Sequence, residues 1–120
     1  MSTVANARPL GLLLSAIATP FRETSIAKGY VIARANVTNP EKWAQYAAKT
    51  KIALDKYEGH PIIRGGKCEL IEGNGTPRNV VLEFPSYEHA LGYAKSTEYA
   101  EAKALREGAG TIDITVVEGV

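Results

Sequence analysis

Few side chains in this 120-residue sequence stand where they could do chemistry, and the first is Glu83. It falls in Asn79 to Phe84 (NVVLEF), whose alternation places Val80, Leu82 and Phe84 on one side and Val81 and Glu83 on the other. A carboxylate among apolar strand residues can act as a general acid or base. It can equally be half of a buried ion pair that holds strands or subunits in register. Arg64 is the matching cation. It precedes Gly65-Gly66, where missing side chains let a ligand or backbone approach closely, and its guanidinium could clamp a carboxylate or enolate through two hydrogen bonds. The same arginine could instead form a strand-to-strand pair with Glu83. Arg78 opens the Glu83 strand beside a loop, as a further ligand-binding position or a solvated cation.

His60 and His89 are the only histidines. His60 lies in the turn Gly59-His60-Pro61 at the mouth of the expected sheet and could reach Glu83 through tertiary approach. His89 belongs to the first turn of a helix. A zinc site needs three or more convergent nitrogen, sulfur or oxygen ligands, and no such spacing is present, so no metal and no other cofactor is expected. Tyr46, Tyr57, Tyr93 and Tyr99 recur at helical positions, where tyrosines serve as core aromatics with hydroxyls reaching polar partners. Cys68 alternates with strand positions and reads as a plain buried thiol. Gly73-Asn74-Gly75 is a turn, since a phosphate loop needs a following helix and a lysine.

Two halves of similar plan would position these groups. Gly29 to Val37 (GYVIARANV) has strand composition without helical period. Asn39-Pro40-Glu41 supplies a cap, a first-turn proline and a dipole-favoured carboxylate, so a helix follows. Trp43, Tyr46, Ala47, Thr50, Leu54 and Tyr57 mark its buried stripe, and Gly59 with Pro61 end it. Pro61 to Glu72 (PIIRGGKCELIE) predicts a second strand bulged at Gly65-Gly66, and Asn79 to Phe84 a third. Ser86 caps a second helix, which Ser96-Thr97-Glu98 should break before it resumes to Gly108. Thr111 to Glu118 is the last strand. The order βαββαβ is an α+β, ferredoxin-like plan, with four antiparallel strands and both helices on one face. The other face is apolar too, and a second copy of the chain is its simplest cover.

The whole chain is 45% hydrophobic and 22% charged with net charge +1, which suits one domain with one core. From Lys28 onward there are 12 basic and 12 acidic residues, which leaves no basic stripe for nucleic acid. One cysteine excludes an intrachain disulfide, and no apolar run is long enough for a membrane span. Residues 1–27 stand apart. Leu10 to Ala18 (LGLLLSAIA) after Arg8 reads either as an N-terminal arm in a cytoplasmic protein or as an export signal ending near Ala18. Residues 28–120 form the domain.

Arg64 to Gly73 (RGGKCELIEG), Val80 to Ala90 (VVLEFPSYEHA), Ser96 to Arg106 (STEYAEAKALR) and Val116 to Gly119 (VVEG) occur in the order seen in the domain of unknown function 1330 family, and the chain resembles that family from Lys28 to Val120. The resemblance implies the dimeric α/β barrel superfamily, in which two sheets face each other. It also implies a range of activities, among them cofactor-free monooxygenases, small-lactone isomerases, polyketide cyclases and haem enzymes. Fold alone does not choose among them. Tyr93-Ala94 stands where relatives often carry an aromatic pair, so a pocket lined by that pair has a different shape here. The resulting expectation is a homodimer that binds a small organic ligand between sheet and helices. Glu83 would be its acid or base, Arg64 an anion clamp, and His60 and Tyr93 orienting groups. The other expectation is a structural or regulatory dimer without turnover.

Overall fold

The first helix begins where its cap dictates. In the computed structural model, which describes residues 26–120, Asn39 takes extended backbone and its side chain accepts the Lys42 amide at 3.2 Å. Pro40 then opens α1 (Pro40–Lys56), which buries Trp43, Tyr46, Thr50 and Ala53 on one side. Ala47, read as part of the stripe, is exposed, and Ala53 takes its place in the core. Ser86 caps α2 (Tyr87–Ala94), and Ser96 caps α3 (Thr97–Ala104). The break between them is the expected one. Ser96 Oγ accepts the Tyr99 amide at 3.0 Å and donates to the Tyr93 carbonyl at 2.8 Å, so one hydroxyl closes one helix and opens the next.

Strands β1 (Gly29–Val37), β2 (His60–Arg64), β3 (Arg78–Phe84) and β4 (Gly110–Glu118) form one antiparallel sheet in the order β2-β3-β1-β4. The chain thus has the α+β, ferredoxin-like fold. Val31, Ala35, Leu82 and Phe84 are buried on the face that the helices cover, with Trp43, Tyr46, Tyr93 and Tyr99 above them. Gly29 permits the close approach of α2: a Cβ there would run into the Ser86 carbonyl and the Tyr87 Cα. The opposite face carries Tyr30, Ile32, Val81, Glu83, Thr115 and Val117, in mutual register, and no helix among the described residues covers it.

One strand departs from expectation. β2 ends at Arg64, and residues 65–77 contain no regular element. The register shift lies between Pro61 and Ile63, not at Gly65-Gly66. Gly65 adopts φ +63° and donates to the Asn79 carbonyl at 2.8 Å, after which the chain leaves the sheet. Cys68 is therefore exposed, with its thiol donating to the Pro77 carbonyl at 3.3 Å, which overturns the reading of a buried thiol. Leu70 and Ile71 are exposed with it. The arm or export signal read in residues 1–27 lies almost wholly outside the described residues. No helix among the described residues is long and apolar enough to cross a membrane.

Candidate functional site

A cavity of about 640 Å³ opens between the helices and the helix-covered face of the sheet. α1 supplies Trp43, Tyr46 and Thr50 to its buried end, Tyr93 comes from α2 and Tyr99 from α3. The rings are locked by edge and tilted stacking. Trp43 and Tyr46 lie 5.3 Å apart, Tyr46 and Tyr99 6.2 Å, Tyr99 and Tyr93 5.2 Å, and Tyr93 and Phe84 5.1 Å. Burial pushes the Tyr46 phenol far above its ordinary range, with Tyr99 and Tyr93 adding to the shift. Tyr93 moves the same way, again chiefly through burial.

The mouth is polar. Exposed Arg64 and half-buried Arg78 line it, together with His60, Lys51 and Asp55. Lys51 and Asp55 neutralise one another at 3.1 Å. Both guanidiniums face the cavity, and among the described residues neither has a carboxylate partner. Gly65 makes room for one of them, because a Cβ there would strike the Arg78 guanidinium. The close approach expected at the glycine pair is made by this side chain.

Arg64 and Glu83 do not meet. Arg64 pairs in register with Val80 on the helix-covered face, whereas Glu83 lies opposite Tyr30 and His60 on the open face. The bulge explains it. Unbroken counting along β2 would put Arg64 on the face of Glu83, and the one extra residue at Ile62 turns it to the other. The expected Arg64–Glu83 ion pair is thereby corrected, as is the placement of Glu83 in a site between sheet and helices. Glu83 instead accepts the Tyr30 hydroxyl at 3.0 Å and lies 3.4 Å from His60 Nε2. The hydrogen bond to Glu83 raises the Tyr30 pKa, with desolvation adding to it. His60 alone touches both places: it lines the cavity mouth and faces Glu83.

Of the sequence-derived candidates, the cavity gathers Arg64, Arg78, Tyr93 and His60 and leaves out Glu83. His89 is engaged elsewhere, its Nδ1 2.7 Å from the Ser86 hydroxyl and its Nε2 3.8 Å from Glu58. Trp43, Tyr46 and Tyr99, which the helical stripe marks only as core, are cavity walls. Helical spacing cannot separate a residue packed on atoms from one packed on empty space. No group of three or more His, Cys, Asp or Glu among the described residues could hold a metal ion.

The family model of the domain of unknown function 1330 matches residues 28–120. The chain belongs to that family. No curated protein matches this DUF1330 chain. Its fold recurs in a protein of unknown function from Rhodopseudomonas palustris, with a TM-score of 0.64 at 13% identity over 78% of this chain and 83% of that one. A hypothetical protein of Arabidopsis thaliana superposes at 0.54 with 17% identity, covering 83% and 94%. SnoaB, a cofactor-independent oxygenase from Streptomyces nogalater, reaches 0.48 at 9% identity, covering 76% and 91%. At these identities the DUF1330 domain shares an architecture with the Rhodopseudomonas and Arabidopsis proteins and no more.

Proposed function

We propose that the protein is a homodimeric α/β barrel that binds a small organic anion in the cavity between its sheet and helices. The observation that carries this reading is the convergence of Arg64 and Arg78, without carboxylate partners among the described residues, on the mouth of an aromatic-walled cavity. A cavity of about 640 Å³, largely apolar with a few oriented polar groups, has the size and character of a small-molecule site. Arginine presents its donors in a fork that matches a carboxylate, and two such forks select an anion. Any acid or base step would pass through His60, with Glu83 setting the orientation of its ring from the other face.

Benzoate titrated calorimetrically into the protein tests the anion site. Charge-assisted hydrogen bonds contribute roughly 1.5–3 kcal/mol each, so Arg64→Met and Arg78→Met should each weaken benzoate about tenfold or more. Unchanged affinity in both variants would remove the basis for the reading.

The second reading, a structural or regulatory dimer without turnover, draws on a different observation. Glu83, Tyr30 and His60 form their cluster on the open face, at the end of the sheet where β1 and β2 begin and β3 ends, with His60 also reaching the cavity mouth. In that reading they are a polar anchor of the contact between two copies.

A further inference from the structure

The buried end of the cavity holds a hydrogen-bond imbalance that the anion site leaves unused. Tyr46 and Tyr99 face each other hydroxyl to hydroxyl at 2.9 Å, in a buried position, and either can be the donor. Two phenols carry two protons, and the single bond between them uses one. Among the described residues neither hydroxyl has another acceptor within hydrogen-bond distance. Arg106, whose guanidinium carbon sits 5.1 Å from the Tyr46 ring centroid and 5.8 Å from that of Trp43, is a donor only and cannot take the second proton. A buried donor without an acceptor is costly, and both side chains line the cavity, so the missing acceptor can arrive with a ligand.

We propose that the Tyr46–Tyr99 pair is a hydrogen-bond donor site for the far end of the ligand, so that the ligand class is an organic acid carrying a ketone or comparable carbonyl oxygen remote from its carboxylate. Arg64 and Arg78 take the carboxylate at the mouth, and the phenols take the carbonyl oxygen at the closed end. This rests on the reading of the cavity as an anion site and adds the recognition of a second group. A site built to give a hydrogen bond rejects an analogue that cannot accept it, because its own donor is then stranded.

The experiment compares 4-acetylbenzoate with 4-isopropenylbenzoate, which has the same outline and no carbonyl oxygen, by calorimetric titration. The protein should bind the ketone at least tenfold more tightly than the alkene. Tyr46→Phe/Tyr99→Phe should abolish that preference while the alkene binds as before, since replacing both partners of a buried hydrogen bond by apolar isosteres is nearly neutral for folding. The double change is needed because either phenol, left alone, can still donate. Arg64→Met/Arg78→Met should weaken both probes and keep the preference. Equal binding of the two probes by the unaltered protein overturns the phenolic site and leaves the anion site standing, and needs no variant to fold. A preference that survives in the double phenylalanine variant overturns it as well. Failure of both probes to bind at all overturns the cavity reading together with this one.

Discussion

Tyr46 and Tyr93 keep their protons far into the alkaline range because burial penalises the phenolate. That has a consequence for stability. Both groups have folded pKa values above the ordinary 10.0. The stabilisation they provide is complete below that value and is lost as pH rises toward the folded pKa, because the unfolded chain ionises first. Thermal melts between about pH 9 and pH 11.5 should therefore show a steep decline beginning near pH 10. Tyr46→Phe/Tyr93→Phe should flatten it, and an equal decline in that variant would show that other groups are responsible. At this scale the sequence was only half legible. Strand alternation correctly set Glu83 opposite Val80, Leu82 and Phe84. It could not say that the helices and their cavity lie on the other side, since period-2 patterning gives parity and not the identity of the covering layer. Arg64 was illegible for another reason: a one-residue bulge at Ile62 inverts its face, and Ile62-Ile63 reads the same with or without it.

Helices were the most legible elements because their ends are written in single residues. Asn39, Ser86 and Ser96 each accept an amide three residues on, as capping chemistry requires. The second strand was the least legible. Residues 65–77 have strand-like composition in Cys68, Leu70 and Ile71, but Gly65 turns the backbone into the left-handed region and ends the ladder after one further bond. Close packing of one element on another is most exposed to test at Gly29. A methyl group there meets backbone of α2, which cannot rotate away, so Gly29→Ala should destabilise the protein by at least the roughly 1–3 kcal/mol typical of overpacking. A melting temperature within a degree of the parent would mean that α2 is not seated on β1 as described.

At the scale of the molecule, the sheet has apolar residues on both sides, and among the described residues helices cover only one. Ile32, Val81 and Ile63 sit side by side on the open face, with Val117 nearby. A face of this kind is normally covered, and a two-fold copy covers it with one interface. Light scattering at micromolar concentration should give the mass of a dimer. Val81→Lys, which places a charge in the middle of that face, should give a monomer whose benzoate affinity is retained, because the cavity is on the other side of the sheet. A parent protein that scatters as a monomer would end the barrel proposal.

Trp43 is the chain's single tryptophan, it forms part of the cavity wall, and it is only 5% exposed. Tyr46 lies beside it, with Tyr99 and Tyr93 next in the stack. Light absorbed by those phenols passes to the one indole, so the ultraviolet emission of the folded protein comes almost wholly from the cavity wall. The protein thus carries an intrinsic optical probe at the place where occupancy matters. A guest that displaces solvent beside the indole shifts the emission band, and one that stacks on it quenches the band. Candidate compounds can therefore be screened by fluorescence on the unlabelled protein.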